Sequence, residues 1–254
     1  MAGRTIAIGD IHGQLAELEK LLGKLPKLDA QDTLVFLGDY VDRGPKSAEV
    51  VELVRHGLPR TTPAKIVTLC GSHEDAWLRV RREGWIEFVL PVGNGCRATL
   101  RSYRGEPPPT DDEMPTAEEL KMLFDGSFFP DDVIAWFASL PRWYEDQHAI
   151  YVHAGLPKID GRWAHPSAVK DPKPLCWQRT ADFFKSYDGK RVVFGHTRTE
   201  YLPQEMSAFT PQDKADMFYR DNLIGLDTGC GHEGFLTAIE LPGLLVYESR
   251  KIRP

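Results

Sequence analysis

Short apolar, β-branched runs alternate with amphipathic stretches through the first third of the chain, and this alternation restricts the fold more than any other feature. Residues 5–8, 33–37 and 65–69 have the length and composition of strands. Each is followed by a stretch of helical period, at about 15–25, 47–58 and 74–83. Strand, loop and helix repeating at this spacing predict an α/β domain whose first strands are mostly parallel.

The middle of the chain has a different character. Residues 93–130 contain several glycines and the run Pro107-Pro108-Pro109, which indicates an irregular insertion with some helix. Predicted strands return after Pro141, at 149–153, 191–194, 223–227, 235–241 and 244–249. Pro242-Gly243 separates the last two and predicts a hairpin turn. Without an internal repeat or a clean linker, one domain over 1–254 is expected, with about 93–140 inserted as a cap.

Composition excludes several classes of protein. The chain of 254 residues has 31 Lys plus Arg against 37 Asp plus Glu, a net charge of −6, and no long basic tract, so nucleic acid and anionic membranes are not expected partners. Its longest apolar runs are too short for a spanning helix. The four cysteines form no CxxC pair, which argues against a disulfide framework or a cysteine zinc site. We expect a soluble cytoplasmic protein; its oligomeric state stays open.

Acidic and imidazole residues follow five of the predicted strands. The segments are Gly9-Asp10-Ile11-His12-Gly13, Gly38-Asp39-Tyr40-Val41-Asp42-Arg43-Gly44, Gly71-Ser72-His73-Glu74, His153-Ala154-Gly155 and Gly195-His196-Thr197. One such segment alone is usually a turn or a buried structural histidine, but α/β proteins bind ligands at the carboxyl ends of their strands. Asp and His together suit Mn, Fe or Zn, and a cluster of this size can hold two ions. The sequence therefore predicts a metal centre at one sheet edge.

These five segments, in this order, resemble the signature of the phosphoprotein phosphatase family of metallophosphoesterases, and are most similar to bacterial and bacteriophage lambda-type serine/threonine phosphatases. The resemblance covers about 5–241, apart from insertions around 93–130 and 200–221. It implies a four-layer α/β/β/α sandwich of two mixed sheets, with the metals at the strand ends. In the related diadenosine tetraphosphate hydrolases, the second segment resembles GD-x-V-A-R-G. Asp42 stands where they carry Ala, which favours the phosphatase branch.

The resemblance also implies two divalent ions, expected to be Mn with Fe or Zn as alternatives. The first ion would be held by Asp10, His12 and Asp39, and the second by Asp39, Ser72, His153 and His196. In this family a hydroxide that bridges the two ions attacks phosphorus in line, and no phosphoenzyme forms.

Four further residues have roles implied by the resemblance. His73 would protonate the leaving group, and Asp42 would orient its imidazole. Arg43 and Arg179 would bind phosphate oxygens, since a planar guanidinium suits bidentate phosphate binding. The alternative for Arg179 is a surface arginine beside a buried tryptophan.

Two features depart from the family pattern. Ser72 replaces an Asn whose amide oxygen would bind the second metal, and its shorter side chain would leave the oxygen roughly 1 Å short of a metal–oxygen bond of about 2.1 Å. His232 and Glu233 follow Leu226-Asp227-Thr228-Gly229-Cys230, a segment that lies close to the cleft in the family. We expect these two residues to affect substrate contacts.

The function predicted first is hydrolysis of phosphomonoesters, with phosphoserine or phosphothreonine in proteins as the substrate. The expected partner is therefore a phosphorylated protein or a small phosphoester. Two alternatives stay open. One is hydrolysis of a nucleotide or diadenosine polyphosphate. The other is a phosphate-binding pseudo-phosphatase, in which Ser72 has weakened turnover.

Overall fold

The architecture is taken from a computed structural model that describes residues 3–110, 112–208 and 215–250. Its strands, in chain order, are β1 (Thr5–Ile8), β2 (Thr33–Phe36), β3 (Lys65–Thr68), β4 (Trp143–Glu145), β5 (Ile150–Val152), β6 (Lys158–Ile159), β7 (Arg162–Trp163), β8 (Val192–Phe194), β9 (Phe218–Arg220), β10 (Leu223–Gly225), β11 (Thr237–Leu241) and β12 (Leu245–Glu248). They form two five-stranded mixed sheets, and β6 pairs with β7 in a separate small ribbon.

The first sheet has the strand order β12-β11-β1-β2-β3. β1, β2 and β3 are parallel, with Ile6 opposite Leu34 and Leu34 opposite Ile66. This arrangement confirms the parallel start predicted from the strand–helix alternation. β11 is antiparallel to both β1 and β12, so the hairpin predicted at Pro242-Gly243 is also present.

The second sheet has the order β4-β5-β8-β10-β9. Its three central strands, β5, β8 and β10, are parallel, while β4 and β9 pair antiparallel at the two edges. The sequence did not predict β4 or β9. Both are partly exposed edge strands that end in a charged residue, and they lack the buried apolar, β-branched run that marks β5 and β8.

Alternate residues of each strand face different layers. Ile6 and Ile8 pack with the helices outside the first sheet, whereas Ala7 faces the second sheet. In β8, Val193 faces the first sheet, and Val192 packs on the opposite side with α-helical residues. The result is three apolar clusters between four layers of secondary structure. This confirms the predicted α/β fold of two mixed sheets with helices outside.

The helices are α1 (Leu15–Leu22), α2 (Ser47–Glu52), α3 (Leu58–Thr61), α4 (Ser72–Glu83), α5 (Ile86–Val89), α6 (Cys96–Arg104), α7 (Ala117–Asp125), α8 (Asp131–Ser139), α9 (Lys173–Trp177) and α10 (Ala181–Ser186). A π-helical segment, Leu53–Gly57, joins α2 to α3, so this helix runs three residues beyond its predicted end at 58. In the described parts of the chain, every helix is too short or too polar to cross a bilayer.

Residues 93–140 are more helical than expected. Thr116 caps α7, with its hydroxyl accepting from the Glu119 amide at 3.1 Å and its own amide donating to the Glu119 carboxylate at 2.8 Å. Leu100 of α6, Leu123 of α7 and Phe137 of α8 join the apolar cluster outside the first sheet. These three helices therefore extend the helical layer. The single-domain assignment over 1–254 stays a prediction.

Candidate metal centre

The six predicted metal ligands lie at the carboxyl ends of strands from both sheets, so the prediction of a centre at the edge of one sheet was wrong. Asp10 and His12 follow β1, Asp39 follows β2, Ser72 begins α4 after β3, and His153 and His196 follow β5 and β8. Every one of these side chains is buried. Buried polar groups at this density need partners, because each loses its hydration on folding.

Asp39 is shared by two groups of potential ligands. One group is Asp39, His153 and His196, and the other is His12, Asp39 and His73; within each group the ligand atoms lie within 4.8 Å of one another. His153 Nε2 is 3.4 Å from Asp39 Oδ1, and His12 Nε2 is 3.5 Å from Asp39 Oδ2. The carboxylate thus presents one oxygen to each side, which is the arrangement that a bridging ligand requires.

The protonation of these groups also fits metal binding. His12 Nδ1 and His153 Nδ1 donate to the carbonyl oxygens of Val41 and Leu37 at 3.0 and 2.8 Å, so Nε2 is the ring nitrogen that each presents to Asp39. Among the described residues, His153 Nε2 and His196 Nδ1 are buried without a hydrogen-bond partner. Orphaned buried imidazole nitrogens beside a carboxylate fit a divalent cation.

The charge distribution points the same way. Burial opposes ionisation of Asp39, but the neighbouring imidazoles of His153 and His73 outweigh it and hold the pKa of this carboxyl well below its usual range. Burial, followed by the positive charge of Arg43, lowers the pKa of His12 well below its usual value. An ionised carboxylate and a neutral imidazole are the states in which Asp39 and His12 bind metals. His153 differs: burial opposes its charged form, but Asp39 outweighs burial and raises the pKa of His153 to about 10, so this imidazole must release a proton when it binds an ion.

Asp10 lies beside the two ligand groups, and neither group includes it. Its oxygens accept the His196 amide at 3.0 and 3.2 Å. Burial and a second buried carboxylate, Asp227, raise the pKa of Asp10 well above its usual range. Asp227 follows β10 and was given no role in the sequence interpretation. Two carboxylates buried this close together would be stabilised by a cation.

Ser72 contacts the shared ligand directly. Its hydroxyl donates to the two oxygens of Asp39 at 3.1 and 3.3 Å, and the His73 amide donates to Asp39 Oδ1 at 2.8 Å. The first residues of α4 therefore fix the orientation of Asp39. Binding of the second metal by Ser72 stays a prediction. In this structure the Ser72 hydroxyl is hydrogen-bonded to Asp39 instead.

His73 is held by a fully buried carboxylate. Its Nδ1 donates to Asp42 Oδ2 at 2.6 Å, so its Nε2 is the nitrogen that faces the centre, 4.0 Å from Asp39. Asp42 also accepts from Trp77 Nε1 at 2.9 Å and from Thr99 Oγ1 at 2.7 Å. The sequence predicted the pairing of Asp42 with His73 but not these two supports, which lie 35 and 57 residues further along the chain.

The two predicted phosphate ligands lie on different sides of the centre. The Arg43 guanidinium contacts His12 Nε2 and lies 3.4 Å from His73 Nε2, and its buried Nε has no hydrogen-bond partner among the described residues. Arg179 is exposed, and its Nε donates to His196 Nε2 at 2.9 Å. Arg179 is therefore part of this site even though it is accessible to solvent.

Glu74 is a residue whose role the sequence interpretation missed. This buried carboxylate accepts the amides of Asp39, Tyr40 and Gly71 at 2.9–3.0 Å. Burial, and then the charge of Asp39, raises the pKa of Glu74 to about 7. Glu74 thus joins the second and third segments. Its position three residues after Gly71, in a helix-start pattern, was the available signal.

Comparisons with known proteins agree with this geometry. The family described as calcineurin-like phosphoesterase matches residues 3–199. The chain is 26% identical to a symmetrical bis(5'-nucleosyl)-tetraphosphatase of Neisseria gonorrhoeae, over 92% of this chain and 91% of that one. It is also 26% identical to the asymmetrical bis(5'-nucleosyl)-tetraphosphatase PrpE of a Geobacillus species, over 97% of each. A solved structure of a candidate diadenosine tetraphosphatase shares the fold, with a TM-score of 0.57, 22% identity and coverage of 98% and 93%.

Proposed function

The chain belongs to the calcineurin-like phosphoesterase family, and on that premise we propose that it hydrolyses the phosphoanhydride bonds of dinucleoside polyphosphates. The observation that carries the reaction class is the pair of ligand groups that share Asp39. The names of the relatives, which match nearly the whole chain, support this class of substrate over the phosphoprotein predicted first.

The reaction adds water to a phosphorus atom and breaks its bond to the bridging oxygen, which leaves with the rest of the substrate. Bound divalent ions would neutralise phosphate charge and lower the pKa of the attacking water. Asp39 and the histidines His12, His153 and His196 would hold them. Arg43 and Arg179 bind the phosphoryl oxygens, one from each side.

His73 supplies the proton that the departing oxygen takes up. Asp42 fixes the tautomer of His73, so that the nitrogen opposite Asp42 faces the substrate. A phosphate leaving group departs as a stable anion and needs this proton less than an alcohol does.

Hydrolysis of phosphoserine or phosphothreonine in proteins is the second candidate. The Asp42–His73 hydrogen bond of 2.6 Å favours it, because an alkoxide leaving group requires a positioned acid. Asp42 also occupies the position at which the motif of diadenosine tetraphosphate hydrolases has Ala.

The two candidates differ in the substrate that the purified protein prefers. With Mn present, we expect kcat/KM for diadenosine tetraphosphate to exceed that for a phosphoserine peptide, and the nucleotide products to show which anhydride bond was cleaved. Asp39→Asn serves as the control for contaminating phosphatases. A higher kcat/KM for the phosphopeptide would overturn the proposal. Binding of both substrates without turnover of either would instead favour the pseudo-phosphatase.

A further inference from the structure

A cavity of about 550 Å³ lies next to the metal centre, on the side of β8 and β10. The polar residues that line it are Arg198, Thr199, Glu200, Thr228, His232 and Glu233. None of them is a predicted ligand of the centre or one of its two predicted phosphate-binding arginines. His232 and Glu233 are the two residues that were expected from the sequence to affect substrate contacts.

The turn at 229–234 connects this cavity to the centre. At Gly231, with a φ of +89°, a Cβ would lie 2.5 Å from His12 Cβ and 3.4 Å from Arg43 Cβ. At Gly229, with a φ of +82°, a Cβ would lie 3.8 Å from Arg198 Cδ. The turn therefore packs on Arg43 at one point and on Arg198 at another. Only glycine permits both the backbone conformation and the close approach to His12.

His232 lies on the same turn, between these two cations. Its imidazole is exposed, and no described residue forms a hydrogen bond with the ring. Partial burial, followed by the positive charges of Arg43 and Arg198, lowers the pKa of His232 to about 4. At neutral pH the ring is therefore uncharged and offers one N–H donor, between two guanidinium groups.

Arg198 contacts two exposed neighbours and still has donors available. Its guanidinium lies over the Tyr201 ring, 4.6 Å from the centroid, contacts the Tyr201 hydroxyl, and pairs with Glu200 at 2.9 Å. Its Nε and Nη1 have no partner in residues 3–110, 112–208 and 215–250. A guanidinium with unused donors at the wall of a cavity is suited to a phosphate.

We propose that this cavity is the subsite for the part of a polyphosphate chain that lies beyond the phosphoryl group under attack, with the chain passing from Arg43 over His232 to Arg198. The inference rests on the proposed function for its substrate class, a nucleoside polyphosphate. It adds that Arg198 and His232 distinguish such a substrate from a single phosphate, which reaches only Arg43 and Arg179.

The test compares two probes of different length, inorganic orthophosphate and inorganic tripolyphosphate. Their affinities are measured by calorimetry and by competition with p-nitrophenyl phosphate, with the divalent ion in excess so that the probes do not strip the centre. In the wild type, tripolyphosphate should bind more tightly. Arg198→Ala should reduce this preference about tenfold, less than for an unpaired arginine because Glu200 already neutralises part of the charge.

Three further variants make the comparison specific. Arg198→Lys should restore part of the preference, since it keeps the charge but not the planar fork. His232→Ala should reduce the preference by a smaller factor, because a neutral hydrogen bond is weaker than a charge-assisted one. Arg162→Ala removes an exposed arginine of the small ribbon and should leave the affinities for both probes as they are in the wild type.

The outcomes separate this inference from the proposed function. If Arg198→Ala weakens both probes equally, or neither, the subsite is wrong even if diadenosine tetraphosphate is a good substrate. If diadenosine tetraphosphate is not hydrolysed but Arg198→Ala abolishes the preference for tripolyphosphate, the proposed function fails and the polyphosphate subsite stands.

Discussion

Replacing Asp42 by Asn tests the proton-donor role of His73 with little change in shape. Asn has the size of Asp and tolerates the φ of +72° at this position. The carboxylate accepts hydrogen bonds from three side chains, His73, Trp77 and Thr99. An amide has one oxygen and a donating NH₂ group, so it cannot accept all three bonds. The charge that holds His73 is lost in any orientation of the amide.

The size of the effect follows from the bond that is lost. A hydrogen bond to a charged group contributes about 1.5–3 kcal/mol, which corresponds to a loss of roughly 10–100-fold in rate if the bond acts in the transition state. This loss should appear for a phosphoserine peptide, whose leaving group is an alcohol. For p-nitrophenyl phosphate and diadenosine tetraphosphate it should be only a few-fold, because their leaving groups depart as stable anions.

The assay is kcat/KM for these three substrates with the wild type, Asp42→Asn, His73→Asn and the double variant. His73→Asn should show the same dependence on the leaving group, and the double variant should lose little more than the worse single one, since both changes disable one unit. Thr99→Val is the matched control, because it removes the hydrogen bonds of Thr99 with the carboxylate and the backbone amide of Asp42 without removing the charge. Equal losses for all three substrates would refute proton donation by His73.

Three more predictions concern other parts of the structure. Arg43→Ala should lower kcat/KM by an amount equivalent to about 2–4 kcal/mol of transition-state stabilisation, and it should weaken inhibition by orthophosphate, because a charge-assisted contact with the phosphoryl group is lost. If neither quantity changes, Arg43 does not bind the phosphoryl group. Ser72→Asn should lower the Mn concentration that gives half-maximal activity. If activity and bound metal are identical to those of the wild type, residue 72 does not contribute to binding the second ion. Burial opposes ionisation of the Glu119 carboxyl, but Arg97 and Arg101 outweigh it and hold the pKa of Glu119 at about 2. Its lowered pKa stabilises the fold above about pH 5, and this contribution is lost as the pH falls toward 2. Glu119→Gln should therefore lower the free energy of unfolding by about 1–2 kcal/mol at pH 7, after allowance for solvent screening, and by less at pH 3 in denaturant titrations. An equal difference at both pH values would contradict the role assigned to this carboxylate.

Features encoded over a few neighbouring residues could be predicted from the sequence. The strands β1, β2 and β3, the helices that follow them and the hairpin at Pro242-Gly243 all have local signals. The convergence of Asp10, His12 and Asp39 was also predictable, because β1 and β2 are parallel neighbours that deliver their carboxyl ends to one edge of the first sheet. The meeting of Asp39 with His153 did not follow from this rule, because β5 belongs to the second sheet.

Contacts between distant segments could not be predicted in this way. Thr99 reaches Asp42 from α6, in a region that was expected to be an irregular cap, and Asp227 lies beside Asp10 only because β10 joins the second sheet. The helix α7 had a local signal in its Thr116 and Glu119 capping box, but the proline run before it carried more weight.

The choice between a phosphoprotein and a dinucleoside polyphosphate as substrate was limited by how few residues bear on it. One residue, Asp42, favoured protein phosphatases, whereas relatives that match nearly the whole chain at 26% identity are bis(5'-nucleosyl)-tetraphosphatases. The structure gives a physical reason why one position decides little. Asp42 is hydrogen-bonded to His73, and in the proposed reaction a stable leaving group depends little on that pair.

The central claim is that Asp39 is the shared ligand of two metal ions that hydrolysis requires. The most direct test counts bound Mn per chain by elemental analysis while turnover of diadenosine tetraphosphate and p-nitrophenyl phosphate is followed in the same samples. The wild type should hold two ions. Asp39→Asn should lose at least one ion together with turnover, while Asp188→Asn, which changes an exposed carboxylate, should match the wild type. Two ions retained by Asp39→Asn, or full turnover by metal-stripped wild type, would contradict the account.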